Sequence, residues 1–216
     1  MNLYLKYRPR TVEELDLAGV RKTLSEIIKS NKTSHAYLLT GPRGAGKTST
    51  ARILARIVNC EQNIKQLAEP CNQCSACTAI LNGSAMDVIE IDAASNRGID
   101  DIRELKEKIR LAPVALSRKV YIIDEVHMLT KEAWNAFLKT LEEPPAHVIF
   151  IMATTEEHKL PDTVISRCET FTFKKPNHAL LAAAVLEVAK KEGCKLEKKS
   201  ANLIATLAEG SFRDAF

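Results

Sequence analysis

Gly41-Pro42-Arg43-Gly44-Ala45-Gly46-Lys47-Thr48 has the G-x-x-x-x-G-K-T spacing of a phosphate-binding loop. Glycines let backbone N–H groups turn inward around an anion, and a helix starting there aims its positive end at the same anion. In such a loop Lys47 reaches the β- and γ-phosphates of a nucleotide and Thr48 ligates magnesium. Gly41 to Thr48, with Ser49 behind them, form the candidate nucleotide-binding set. Asp124 and Glu125 close an apolar run, Val120-Tyr121-Ile122-Ile123. One acid of such a pair suits magnesium, and its neighbour suits a water that must be oriented and polarised for in-line attack. Another apolar run, Val148 to Ala153, ends in Thr154-Thr155, whose hydroxyls are placed to meet a γ-phosphate from the side opposite Lys47. Cys60, Cys71, Cys74 and Cys77 cluster, whereas Cys168 and Cys194 stand apart. In a reducing compartment such clustering favours a metal over disulfides. Four thiolates can close a tetrahedral shell and leave no open position, which makes the role structural.

These residues need a scaffold that brings distant segments to one edge. Ala36–Thr40, Val88–Asp92, Val120–Asp124 and Val148–Ala153 read as strands of a parallel sheet covered on both faces, and Glu169–Phe173 reads as a fifth. Helices are expected over Thr48–Asn59, Ile99–Ile109 and Lys131–Leu141, the last stopped before Pro144-Pro145. Strands alternating with amphipathic segments give an α/β fold, a central parallel sheet flanked by helices. After Lys174-Lys175-Pro176-Asn177 the pattern is purely helical. Asn177 caps a helix to about Lys191, a second covers Ser200–Ala208, and Gly210-Ser211 opens a third that is cut off at Phe216. The expected organisation is therefore residues 1–175 with a cysteine insertion at 60–77, then a small helical lid over 176–216, apparently truncated.

Composition limits the alternatives. The chain has 216 residues with 45% hydrophobic and 27% charged, enough for one sizeable core. Its apolar runs fall far short of the roughly 20 residues of a membrane-crossing helix, and Met1 to Pro9 lack the pattern of a secretory signal. A cytoplasmic protein with no membrane partner is expected. A net charge of +4, from 31 basic and 27 acidic residues, does not by itself assign a nucleic-acid partner.

Taken in order, several stretches resemble the tau/gamma family of DNA polymerase III subunits, the AAA+ ATPases of bacterial clamp loaders. They are Lys6-Tyr7-Arg8-Pro9, the phosphate loop, Asp124-Glu125-Val126-His127, Asn135 to Pro145, Ala153-Thr154-Thr155, Ser166-Arg167-Cys168 and Gly210 to Ala215. The likeness spans nearly the whole chain. It implies an AAA+ P-loop fold and a chain that hydrolyses ATP as a subunit of the DNA-directed DNA polymerase holoenzyme. By that resemblance Thr155 is the sensor-1 residue, with Thr154 the alternative. Arg213 is the sensor-2 arginine reaching nucleotide from the lid, and Arg8 and Pro9 stand beside the segment that grips adenine. Arg167 is implied as an arginine finger that completes the site of a neighbouring subunit. The cysteines match the family's zinc-binding insertion. ATP, Mg²⁺ and Zn²⁺ are thus the implied cofactors. The partners implied are the other subunits of a hetero-pentameric loader, the sliding clamp and primer–template DNA, the DNA facing Ser95 to Gly98. The lysines of 190–199 read as a solvated face.

Two departures stand out: Leu15-Asp16-Leu17-Ala18-Gly19-Val20 replaces the family's Val-Gly-Gln segment, one residue shorter, and Phe137 stands where leucine is usual. Phosphate binding is therefore better specified than base choice. Two rival readings are an assembly subunit that binds nucleotide without turnover, and an AAA+ ATPase with another task. Intact Lys47, Thr48, Asp124 and Glu125 speak against the first, and the cysteines with Ser166-Arg167-Cys168 against the second.

Overall fold

The computed structural model describes residues 2–29, 34–62 and 69–216, and for 27–29 the backbone alone. Six residues of the cysteine insertion, 63–68, lie outside this range. The apolar runs form strands β1 (Ala36–Thr40), β2 (Val88–Asp92), β3 (Lys119–Asp124), β4 (Val148–Thr154) and β5 (Glu169–Thr172). They make one five-stranded sheet in the order β2-β3-β4-β1-β5, and every pairing is parallel. Because successive side chains point to opposite faces, a strand buried on both sides must be apolar throughout. On β4, Ile149, Ile151 and Ala153 enter one core with Leu24, Ile53, Leu54 and Ile122. Val148, Phe150 and Met152 enter the other, with Ile102, Leu105, Trp134 and Phe137. Phe137 is fully buried with its ring edge-on to Phe150, so the bulkier residue is accommodated as core.

One expectation is corrected at β2. It reads as doubly covered, yet it lies at the sheet edge, paired only with β3, and none of its residues is fully buried. Glu90 and Asp92 within the run register that exposure.

Helices α1 (Leu3–Lys6), α2 (Ala18–Lys29) and α3 (Lys47–Asn59) precede or follow β1, and α4 (Ser75–Leu81) carries part of the cysteine cluster. Then come α5 (Ile99–Arg110), α6 (Lys131–Glu142), α7 (Asp162–Ile165), α8 (His178–Lys191), α9 (Lys198–Leu207) and α10 (Phe212–Ala215). The sequence pattern does not announce α1, α2, α4 and α7; two of them are single turns and α2 begins in the departed segment. The Thr130, Asn177 and Ser211 side chains each accept the backbone N–H three residues on, fixing the starts of α6, α8 and α10. Helices α8 to α10 bury a separate small cluster, Leu181, Ala182, Ala205 and Ala208, beyond the last strand. Among the described residues no helix is long and apolar enough to cross a membrane.

The loop from Leu111 to Arg118 is held by a buried acid. Asp87, 1% exposed, accepts the N–H groups of Val114, Ala115 and Leu116 at 2.8, 2.7 and 2.8 Å. Burial opposes its ionisation, but those three donors and nearby Lys119 outweigh it and hold the carboxyl below its ordinary value.

Candidate functional site

Parallel pairing puts the carboxyl ends of β1, β4 and β3 side by side, so the loop after β1, the threonines of β4 and the acids of β3 share one edge. Leaving β1, the chain turns at Gly41, where φ is 141° and a Cβ would stand 2.2 Å from the Phe173 carbonyl oxygen. Gly44, at φ 73°, is packed as tightly, with Ser211 Oγ 2.0 Å from where its Cβ would lie. The two glycines thus let the loop pass between the end of the sheet and the C-terminal helices. α3 then starts on Gly46 without a side-chain cap, leaving its first N–H groups toward the cavity.

Lys47 is buried at 6% exposure, and its Nζ donates to the carbonyls of Gly41 at 2.7 Å and Pro42 at 2.9 Å. Burial pulls its pKa below the ordinary lysine value, and the charges of Glu125 and Asp124 push it back up. Thr48 donates its hydroxyl to Asp124 Oδ2 at 3.1 Å, so the two side chains face one small volume, as a shared divalent cation requires.

The other Asp124 oxygen accepts the Glu125 N–H at 2.9 Å. Glu125 sits in left-handed backbone, φ 48° and ψ 43°, a conformation that costs a non-glycine residue and that turns its side chain away from the strand.

β4 ends at Thr154, and Thr155 is the first residue beyond it. Thr154 is fully buried, its hydroxyl 2.9 Å from His127 Nδ1 and accepting the Glu156 N–H at 3.0 Å. Thr155, partly buried, donates to Glu125 Oε2 at 2.9 Å. His127, which in the sequence stands only as one letter of a motif, lies with Nδ1 3.4 Å from Glu125 and Nε2 3.5 Å from Glu156.

Lys47, Thr48, Asp124 and Glu125 open into one cavity of about 520 Å³. The rest of the phosphate loop from Arg43 to Ser49 lines it, as do Arg8, Pro9 and Arg213. Leu15, Leu17 and Val20 of the departed segment give it an apolar wall. Tyr4, Asp92 and Phe173 also line it, with nothing in their residue types or spacing to single them out, as do Tyr7 and Phe212 from the stretches that carry the resemblance.

Four basic side chains, Arg8, Arg43, Lys47 and Arg213, and four acids, Asp16, Asp92, Asp124 and Glu125, line the cavity. Arg8 is half-buried and its pKa is lowered by burial first and by Arg52 second, while Glu90 is already held by Arg52 at 2.6 and 2.7 Å. Neither Arg8 nor Arg213 has a side-chain hydrogen bond or ion pair among the described residues. Two such cations and a buried lysine can receive an anion, while Asp124 beside Thr48 can receive the cation that accompanies it.

Arg167 is not brought into this cavity. It lies after α7, bonded to Glu142 Oε1 at 2.8 Å and to the Thr163 carbonyl at 2.6 Å. Ser95, Asn96 and Arg97 are exposed, and the first turn of α5 behind them carries Asp100 and Asp101. Lys190, Lys191, Lys195, Lys198 and Lys199 are exposed as well.

The cysteine sulfurs of Cys60, Cys71, Cys74 and Cys77 all lie within 4.8 Å of one another, with Cys71 and Cys77 3.9 Å apart. A tetrahedral ion with thiolate bonds of about 2.3 Å needs sulfur edges of about 3.8 Å, so the four can hold a metal. Backbone N–H groups of Gln73 and Cys74 point at Cys71 Sγ, and that of Cys77 at Cys74 Sγ, which favours thiolates. Burial pushes the Cys60 and Cys77 thiols up; at Cys71 burial acts the same way but the amide donors prevail and bring it to about 6.

A phosphate loop after the first strand, an acid pair after the third and helices beyond the sheet define an AAA+ P-loop nucleotide-binding fold. Solved structures agree: the RuvB Holliday junction branch migration motor of Thermotoga maritima superposes with TM-score 0.66 at 20% identity, over 97% of this chain and 62% of that one. At that identity the likeness speaks for the fold alone.

A family model described as DNA polymerase III, delta subunit matches residues 18–177, and the chain belongs to that family of DNA polymerase III subunits. DNA polymerase III subunit tau of Bacillus subtilis is 51% identical over 99% of this chain and 38% of its own length. For the gamma/tau subunit of Mycoplasma genitalium the figures are 46%, 98% and 35%, and for subunit tau of Escherichia coli 43%, 97% and 32%. The chain thus spans about a third of the length of these relatives.

Proposed function

We propose that this chain is the ATP-hydrolysing part of a clamp-loader subunit. ATP bound between the phosphate loop and the helical lid would hold several subunits in the arrangement that opens a sliding clamp and grips primed DNA. Hydrolysis would release both, since a ligand shifts an assembly only by binding one arrangement better than another. The observation that supports this most is the convergence of Lys47, Thr48, Asp124 and Glu125 on one cavity. Arg8 and Arg213 beside them, without an ion pair among the described residues, fit the charge of a triphosphate.

In this reading Lys47 exchanges its bonds to the Gly41 and Pro42 carbonyls for phosphate oxygens. Thr48 and Asp124 hold Mg²⁺, which supplies charge neutralisation at the β- and γ-phosphates. Glu125 orients the attacking water and takes its proton, and Thr155 presents its hydroxyl to the carboxylate and the γ-phosphate. Arg167, half-buried on its own chain, acts on the nucleotide of a neighbouring subunit, exchanging Glu142 for phosphate; such a cation is worth about 10³–10⁵ in rate. The four cysteines hold Zn²⁺ as a structural staple of the 60–77 insertion. Residues 1–175 act as the ATPase domain and 176–216 as its lid, in the cytoplasm, with the other loader subunits, the clamp and primer–template DNA as partners.

Titration with a fluorescent ATP analogue and magnesium tests the reading, with Glu125→Gln as the companion variant. Saturable binding by both proteins is expected, with turnover in the assembled loader lost only in the variant, by about 10²–10⁴. No saturable uptake by folded wild type overturns the proposal, and undiminished turnover removes Glu125 from its role.

A further inference from the structure

The single turn α1 is tied at two points to the helices beyond the sheet. On one side Lys6 and the Tyr7 hydroxyl donate to Glu192 Oε1, just past α8, at 2.5 and 2.7 Å. On the other, the guanidinium carbon of Arg213 on α10 stands 5.4 Å from the centroid of the Tyr4 ring. Tyr4 and Arg213 both line the cavity that contains Lys47. α10 itself is set against the phosphate loop, because the Phe212 N–H donates to the Gly44 carbonyl at 3.1 Å. The backbone under Arg213 is thereby fixed, but its long side chain is not. Among the described residues no acceptor or carboxylate bonds its guanidinium, and the π face of Tyr4 is the one specific contact it makes.

We infer that Tyr4 is a positioning residue: its ring holds the Arg213 guanidinium over the cavity, preorganised for the phosphates of a bound nucleotide. This rests on the nucleotide reading of the site given above. A cation over an aromatic face is held by the ring quadrupole and keeps all its N–H donors free, whereas a carboxylate partner would neutralise the charge the phosphates need. An arginine left without that ring spreads over many rotamers, and ordering it then falls on the ligand.

A double-mutant cycle separates this from a direct or a merely structural role. The 216-residue chain is titrated with a fluorescent ATP analogue and magnesium as wild type, Tyr4→Leu, Tyr4→Phe, Arg213→Ala and the Tyr4→Leu/Arg213→Ala double variant. Tyr4→Leu should weaken binding about five- to tenfold, and Tyr4→Phe, which keeps the ring, should stay within about twofold of wild type. In the Arg213→Ala background Tyr4→Leu should have no further effect. Should Tyr4→Leu lower the melting temperature by more than a few degrees, Tyr4→Met supplies the same comparison with more of the apolar volume kept. The inference is overturned if the two losses multiply, if Tyr4→Leu binds like wild type, or if Tyr4→Phe is as weak as Tyr4→Leu. A wild type that takes up no nucleotide overturns the reading of the site itself, and the inference with it.

Discussion

Thr154 and Thr155 are adjacent in sequence and opposite in consequence, and replacing each by valine separates a structural hydroxyl from a working one. Valine keeps the branched shape and removes the oxygen. At Thr154 the loss removes the 3.0 Å acceptor of the Glu156 N–H and the 2.9 Å partner of His127 Nδ1, which keeps Glu125 Oε2 at 3.4 Å. Two lost bonds, one leaving its donor unsatisfied, cost about 2–4 kcal/mol, which in a chain of this size lowers the melting temperature by about 4–16 °C. Thr155 is only partly buried and makes one bond, to Glu125 Oε2 at 2.9 Å, where water can replace it. Its removal should cost no more than about 1 kcal/mol of stability. What it should cost is rate: an unanchored Glu125, losing a bond to a charged group of about 1.5–3 kcal/mol, corresponds to turnover slower by about 10–150-fold. Thermal melts of both variants, with ATPase rates in the assembled loader, decide the matter. A Thr155→Val protein that turns over normally refutes the argument, as does a Thr154→Val protein that melts like wild type.

Two further outcomes follow from the geometry. Metal analysis of freshly purified protein should find one zinc per chain, lost in Cys71→Ala together with thermal stability; well under one metal per chain in the wild type counts against the four-thiolate site. Asp87 is more acidic folded than unfolded, so its stabilisation is full above the ordinary carboxylate value of about 4 and disappears as pH falls through the lower folded value. Denaturant titrations from pH 7 to about pH 3 should therefore show a shallower acid slope for Asp87→Asn, offset by about 2–3 kcal/mol at neutral pH. Equal slopes for the two proteins would show that the three amide donors to Asp87 do not stabilise its charge.

Chemistry carried by contiguous residues is legible in the sequence alone. A phosphate loop is a local object, made by glycine backbone freedom and one lysine within eight consecutive residues, and the strands before and after it are visible as apolar runs because both their faces are buried. The cysteine cluster is legible for the same reason, three of its four cysteines lying within seven residues. Edge position is different, because nothing in Val88–Asp92 alone says which strand pairs with which, and β2 proves to be an exposed edge. α2 escapes sequence reasoning because it begins inside the departed segment, and its first turn carries no acidic residue to mark a helix start.

By itself, then, the sequence determined that a glycine-rich loop with its lysine, an acid pair and a cysteine cluster exist, since each depends on residue type and short spacing. Only tertiary structure decided which threonine turns toward Glu125, which backbone donors hold Asp87, and that Tyr4 lies against Arg213 from the far end of the chain. Those choices depend on strand register and on helices docking across long sequence separations, where packing of the whole core, and no local preference, sets which side chains meet.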